Sequence, residues 1–255
     1  MRVAVCGAAG RMGRLVVKKA VESGLDVVQA FDVVEVGKDA GELAGIGKIG
    51  VPIQGDISKL DANVMIDFTV ADAAVENARI AAEKGVKIVM GTTGFTEEER
   101  KELEELSRKV PFILSPNFSL GVNVFFKVVE YAASFLSDFD VEIVEMHHKH
   151  KRDSPSGTAL RVAEILRSAM GRSLDIKTCR EGLSPRGNEI GVFGVRGGDV
   201  VGEHTVFFFG NGERIEITHR ATNRECFASG AVKAALWLAN VDKPGLYSMA
   251  DVLGF

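Results

Sequence analysis

The chain has 255 residues, 46% of them hydrophobic and 26% charged, a globular composition with enough length for one large core or two modest ones. A net charge of −4 and a pI near 5.8 exclude the broadly basic face that a nucleic-acid partner requires. No apolar run is long enough to read as a membrane span or signal segment, and three scattered cysteines without C-x-x-C spacing suggest neither a disulfide framework nor a zinc knuckle. A reduced, cytoplasmic setting without a membrane or nucleic-acid partner is expected.

Residues 3–6 are a short apolar run ending at G-A-A-G-R-M-G (7–13), after which Leu15, Val16, Ala20 and Val21 recur at helical spacing up to Ser23-Gly24. That order is strand, glycine turn, helix. A second apolar run, 26–31, ends on Asp32 and completes a β-α-β unit. Gly7, Gly10 and Gly13 depart from the usual G-x-G-x-x-G, but their setting between a strand and a helix suits a pyrophosphate, because a helix N-terminus offers unpaired amides and partial positive charge. Asp32 stands where a carboxylate accepts from adenosine ribose hydroxyls. Val33 supplies no cation for a 2′-phosphate, leaving only Arg11 or Lys38 for that task, so NADH is expected to be used at least as well as NADPH.

The glycine-rich stretch 36–57 reads as loop with one helical turn. Then come a strand at 64–68, a helix at 71–84 closed by Gly85, a strand at 86–90 and G-T-T-G at 91–94. Thr96 and Glu99 have capping-box spacing and open a helix to 109; a strand at 111–114 ends in S-P-N-F (115–118). Strands alternating with helices predict a parallel sheet covered on both faces, with ligands at the strand ends. Thr92, Thr93 and the backbone around Ser115, Pro116, Asn117 and Phe118 are therefore candidates for the nicotinamide ribose and amide.

Past Gly121 the pattern changes. An apolar helix at 122–135 precedes 141–146, which alternates apolar and acidic residues as a half-buried strand does; a helix at 157–170 follows. Strand-like runs at 192–196, 200–209 and 214–219, with Asn211-Gly212 as a hairpin turn, lead to a final helix at 228–240 and a short tail. This part reads as α+β with an antiparallel or mixed sheet.

The segment E-M-H-H-K-H-K-R-D-S-P-S-G-T-A (145–159) holds three of the five histidines, interleaved with Lys149, Lys151 and Arg152. Hydride transfer to a polarised C=C or C=N leaves an atom that needs a proton; histidine titrates near neutrality, and a lysine crowded by cations is driven toward it. An extended backbone would turn His148 and His150 one way and His147, Lys149 and Lys151 the other. Each cation at ~4 Å from a carboxylate contributes about 4 kcal/mol at an effective dielectric near 20, before desolvation. Two or three, with amides at Gly157 and Thr158, suit a small dicarboxylate. A metal site on H-H-x-H is opposed by the interleaved cations. His204 and His219 read as structural. The rivals are a solvated basic loop, a non-catalytic dinucleotide sensor binding a small anion, and a semialdehyde-dehydrogenase type, which needs a thiol that Cys6, Cys179 and Cys226 are poorly set to supply.

These motifs, with D-F-T (67–69), N-F-S (117–119), G-V-N (121–123) and G-D-V-V-G-E-H-T (198–205), resemble the dihydrodipicolinate (4-hydroxy-tetrahydrodipicolinate) reductase family over essentially the whole chain. The resemblance implies NAD(P)H-dependent reduction of a cyclic dicarboxylate to tetrahydrodipicolinate in lysine and diaminopimelate biosynthesis, by a homotetramer. It implies a Rossmann-like dinucleotide domain (1–118 and 229–255) and an α+β substrate and oligomerisation domain (119–228). It also implies that His147 is the acid/base residue, Lys151 the proton donor and a substrate ligand, and His148, Gly157 and Thr158 substrate ligands. Gly7, Ala8, Ala9, Gly10, Arg11, Met12, Asp32, Gly91, Thr92, Thr93 and Ser115 to Phe118 would hold the dinucleotide, with no metal. Val33 departs from the basic residue often found there in the family.

Overall fold

Strand β1 (Arg2–Cys6) buries every residue after Arg2, as a strand covered on both faces must. It is an interior strand of a parallel sheet in the computed structural model, which describes residues 1–255. The chain turns at Gly7 in the left-handed region (φ +74°) into α1 (Arg11–Glu22), whose stripe of Gly13, Val16, Val17 and Ala20 is buried. β2 (Asp26–Phe31) returns parallel to β1.

The expected loop at 36–57 carries one short helix, α2 (Ala40–Leu43), and, beyond expectation, a two-residue strand, β3 (Ile53–Gln54), with a 3-10 turn at Ile57–Lys59. Asp39 organises it. Its buried carboxylate accepts from the amides of Gly41, Glu42, Ile49, Gly50 and Val51 at 2.7–3.2 Å, so the glycine-rich backbone is pinned by one side chain. β4 (Val64–Asp67), α3 (Ala71–Glu83), β5 (Lys87–Met90), α4 (Glu97–Ser107) and β6 (Pro111–Leu114) follow in the expected order. α4 opens on the capping box: the Glu99 amide donates to Thr96 Oγ1 (3.2 Å) and the Thr96 amide to Glu99 Oε2 (2.7 Å).

α5 (Leu120–Phe135) leads into a second unit, 121–223. There β7 (Asp140–His147), α6 (Gly157–Ala169), β8 (Asp175–Lys177), β9 (Glu189–Arg196), β10 (Gly202–Gly210) and β11 (Glu213–Ala221) build a five-stranded sheet of order β11-β10-β7-β9-β8. β10 runs antiparallel to β7 and β11, whereas β7, β8 and β9 are parallel, so the sheet is mixed as expected. One face is closed by Phe125, Val129, Val162 and Leu166 of the helices over Val141, Ile143, Val192 and Phe208.

Two expectations about β7 fail here. The apolar–acidic alternation inverts at Val144-Glu145, and the side-chain period of two puts Glu145 on the buried face with Val141 and Ile143. The extended backbone also stops at His147: the Lys151 amide bonds the His148 carbonyl (3.0 Å) in a turn, so the strict two-sided alternation of 147–151 does not exist.

α7 (Glu225–Ala239) begins earlier than the apolar pattern suggests and belongs to the first unit, 1–120 with 224–255. Its Ala231, Val232, Ala235 and Leu238 share a core with Val3, Val5, Val16 and Val17. Gly230 lies so close to the Phe118 carbonyl that a Cβ would stand 1.7 Å from its oxygen. The tail contains β12 (Gly245–Tyr247), parallel to β6 at the sheet edge, and α8 (Met249–Leu253). The completed seven-stranded order is β12-β6-β5-β4-β1-β2-β3. The chain winds outward from β1 in both directions, which makes the β1/β4 boundary the topological switch point. No helix is long and apolar enough to cross a membrane.

Candidate active site

In the first unit four neighbouring strands end in step. The Phe68 amide bonds the Cys6 carbonyl (3.2 Å), Gly91 the Asp67 carbonyl (2.9 Å) and Ser115 the Met90 carbonyl (3.1 Å), so the turns after β1, β4, β5 and β6 form one row. Close packing there demands glycine. A Cβ on Gly7 would meet the Phe68 carbonyl oxygen at 2.8 Å, one on Gly13 the Gly7 carbonyl at 2.0 Å, and one on Gly91 the Phe68 ring at 2.2 Å. α1 starts from Gly10 without a side-chain cap, leaving a helix N-terminus as an anion cradle.

Beside it, a cavity of about 320 Å³ is walled by Gly7, Gly10, Asp32, Val33, Phe68 and Thr69. The Ala9 amide donates to Asp32 Oδ2 (3.0 Å) and the Val34 amide to Oδ1 (3.2 Å), which holds the Asp32 carboxylate at the lip of the glycine turn. Val33 is 89% exposed. Two nearby cations are engaged: Lys38 pairs with Glu35, and Arg14 Nε donates to the Ala9 carbonyl (2.8 Å). Arg11 and Thr93 are exposed, Met12 half-buried and Ala8 and Ala9 buried, so these last two can offer only main chain. Thr92 is buried, and its Oγ1 donates to Asp67 Oδ1 (3.1 Å). Ser115 Oγ bonds the Asn117 carbonyl (2.9 Å), Pro116 is exposed, and the Phe118 ring is core, 5.9 Å from that of Phe68. Gly10, Asp32 and the glycine cradle fit a dinucleotide by shape and donor chemistry.

In the second unit, the histidine segment is organised by a residue that sequence reading passed over. Glu145 Oε2 lies 2.6 Å from His147 Nδ1 and accepts from Arg196 Nη1 (2.8 Å); Oε1 accepts from Arg196 Nη2 (2.7 Å) and the Ser156 amide (3.0 Å). Burial alone would raise the Glu145 pKa, but Arg196, His147 and the Ser156 amide outweigh it and hold the group below the ordinary carboxylate range. An ionised carboxylate can only accept, so the neutral His147 imidazole carries its proton on Nδ1, toward Glu145, and has Nε2 as its unprotonated nitrogen. Burial pulls the His147 pKa below the ordinary value, Glu145 pulls it back up, and Lys151 and Arg196 oppose that.

His148 is half-buried, and Lys151 Nζ pairs with Asp153 (2.8 Å). Gly157 and Thr158 open α6, where Ser156 Oγ caps the Ala159 amide (3.2 Å). Ser156 Oγ also lies 3.1 Å from His204 Nε2, and the His204 ring meets that of His147 edge-on at 5.2 Å. His204, read from sequence as a structural strand residue, therefore packs within the cluster; burial and the neighbouring His147 push its pKa down to about 3. His147, Lys151, Ser156 and the start of α6 thus come together, while Lys149, His150 and Arg152 are exposed. Glu145 had a sequence signal, its two-residue spacing from both Ile143 and His147. Arg196, opposite His147 on β9, had none. Cys6 is buried with a strongly raised pKa and Cys226 is raised as well, both chiefly by burial, the opposite of the lowered pKa of an activated thiol.

Comparison with known proteins accounts for the whole chain. Residues 1–118 match the model for the dihydrodipicolinate reductase N-terminus and 121–253 that for its C-terminus. A 4-hydroxy-tetrahydrodipicolinate reductase of Archaeoglobus fulgidus is 73% identical over 99% of this chain and 100% of its own. That of Methanocaldococcus jannaschii is 47% identical, covering 100% and 97%. Among solved structures, a dipicolinate-bound dihydrodipicolinate reductase from Paenisporosarcina sp. TG-14 superposes with a TM-score of 0.79 at 26% identity, covering 98% of each chain. A scyllo-inositol dehydrogenase from Lactobacillus casei with bound NAD(H) shares the fold (TM-score 0.60, 11% identity, covering 99% and 93%). With both family models matched and relatives this similar over their full length, the chain belongs to the dihydrodipicolinate reductase family.

Proposed function

We propose that this protein converts 4-hydroxy-tetrahydrodipicolinate, a cyclic dicarboxylate, to tetrahydrodipicolinate in lysine and diaminopimelate biosynthesis, the ring gaining a hydride and a proton and the hydroxyl leaving as water. The observation that carries the reading is the match of both halves of the chain to one reductase family, joined to a histidine whose tautomer is set by a buried carboxylate. A bound nicotinamide dinucleotide supplies the hydride. Gly7, Ala8, Ala9, Gly10, Arg11 and Met12 cradle its pyrophosphate, Asp32 receives the ribose hydroxyls, and Gly91 to Thr93 with Ser115 to Phe118 hold the nicotinamide half. His147 Nε2 exchanges the proton as acid/base, and the Lys151 ammonium donates to the reduced carbon framework. His148, Lys151 and the α6 start at Gly157 and Thr158 hold the carboxylates.

Replacing His147 or Lys151 by Ala is expected to lower turnover by about 100-fold or more with NADH affinity nearly unchanged. Wild-type protein that oxidises no NADH with freshly generated substrate overturns the reading, in favour of a non-catalytic dinucleotide sensor. NADH is the expected coenzyme, used at least as well as NADPH, supported by Asp32, the uncharged Val33 and the engagement of Lys38 and Arg14. A kcat/KM for NADPH tenfold above that for NADH contradicts this. A homotetramer is supported by the second unit's outer sheet face, where Phe207 and Phe209 stack under Arg214 and where Val195 and Phe209 are exposed. Kinship with biosynthetic reductases supports a cytoplasmic setting.

A further inference from the structure

Beyond its contact with His147, Glu145 exchanges no proton and holds no carboxylate in the chemistry above, yet four hydrogen bonds converge on a carboxylate that is 0% exposed. Burying a charge is tolerated only when its lone pairs are filled, and here they are filled by Arg196 on both oxygens and by one group from each functional half of the segment, His147 and the Ser156 amide. We propose that Glu145 is a positioning residue that holds the acid/base histidine and the carboxylate-binding helix start in a single frame, one oxygen orienting His147 and the other anchoring Ser156 at the head of α6. The proposal rests on the reading of His147 as the acid/base residue.

Three observations support it. Arg196 grips both oxygens in a fork, which fixes the carboxylate plane, and its Nη2 also reaches the Asp153 carbonyl (2.6 Å), tying in the loop that carries Lys151. The backbone opposite is pressed against this carboxylate: a Cβ on Gly194, the register partner of Glu145, would stand 2.8 Å from Oε1 and 2.3 Å from Ser154 Oγ. Finally, the Nδ1 contact decides which imidazole nitrogen faces outward, the property on which proton exchange by a neutral histidine depends. Charged and titratable groups facing His147 are Glu145 on its own strand, Arg196 on β9, His204 on β10, and Lys151 with its partner Asp153 in the following loop.

The test uses full-length Glu145→Gln, Glu145→Asp, His147→Ala and the Glu145→Gln/His147→Ala double variant, assayed by NADH oxidation with the cyclic dicarboxylate across the pH range where imidazole titrates. Glu145→Gln is expected to lower kcat about 100-fold with KM for NADH unchanged, and Glu145→Asp to recover part of the loss. The limb of the pH profile belonging to His147 moves to lower pH, because the partner that raises its pKa is gone. In the His147→Ala background the Glu145→Gln substitution costs little more, as expected of a residue acting through His147. A kcat within about threefold of wild type, or a loss that persists in full without His147, overturns the proposal. Imidazole ¹⁵N spectra of the wild type give an answer that needs no variant to fold: a proton on Nδ1 of neutral His147 supports the proposal, and one on Nε2 overturns it. Normal turnover by His147→Ala would instead sink the acid/base reading, with the tautomer measurement still judging Glu145.

Discussion

Asp67 does for the dinucleotide turns what Glu145 does for the histidine segment. Fully buried at the end of β4, it accepts from the Thr69 amide (2.9 Å), Thr69 Oγ1 (2.7 Å) and Thr92 Oγ1 (3.1 Å) on one oxygen and from Asn77 Nδ2 (2.7 Å) on the other. One side chain thereby joins the D-F-T turn, the G-T-T turn and α3. Asp67→Ala removes the acceptor of four donors, of which Thr92 Oγ1 keeps a contact with the Thr69 carbonyl (3.2 Å), and unsatisfied buried donors cost about 1–3 kcal/mol each, less what water recovers. A urea-midpoint shift equivalent to about 2–4 kcal/mol is expected, together with weaker NADH binding by calorimetry. In sequence, Asp67 was visible only as part of a motif: no pattern in 64–69 says that its oxygens point at Thr92 and Asn77, because those partners come from a different strand end and a helix.

Among the elements, the β-α-β units were legible because period and punctuation agree: apolar runs of strand length, glycines at the turns, and a capping box that forms as spaced. Elements of two or three residues, β3, β8 and β12, were not, since a run that short has no period and exists only through its pairing with β2, β9 and β6. The glycine-rich stretch after Asp32 reads as loop with one helical turn, and the rest of its order is hidden for a related reason: it comes from Asp39, a single polar residue that composition hides. Asp39→Ala is expected to destabilise the protein by about 3 kcal/mol or more, since it removes the acceptor of five amides. Hydrogen exchange at Gly50 and Val51 should quicken well before the seven-stranded sheet opens, and unchanged protection there would contradict the anchoring role. The segment after β7 failed differently. An extended backbone over 147–151 fits the sequence, whereas in the structure the Lys151 amide closes a turn onto the His148 carbonyl.

Across the whole molecule, stability should fall on mild acidification. His204 is buried with its pKa near 3, and His147 and His219 are lowered too, each chiefly by burial. The unfolded chain therefore binds more protons than the folded one below the ordinary histidine value near 6.5, and stability, intact above that pH, is lost progressively toward pH ~3. For His204 the cost approaches about 1.4 kcal/mol for each pH unit below 6.5 until its folded-state pKa is reached. His204→Gln should flatten the pH dependence of the urea midpoint in that range, and a slope unchanged from wild type would contradict the assignment. What the sequence determined by itself was local and periodic: the two kinds of sheet, the glycine cradle, Asp32, and the concentration of histidine and lysine at 147–151. Tertiary structure decided which of those groups are held and by what. Register set Glu145 inside the sheet and Arg196 opposite His147, packing brought His204 and Ser156 together, and burial moved their proton affinities. Such contacts join residues tens of positions apart, and no short-range pattern encodes them.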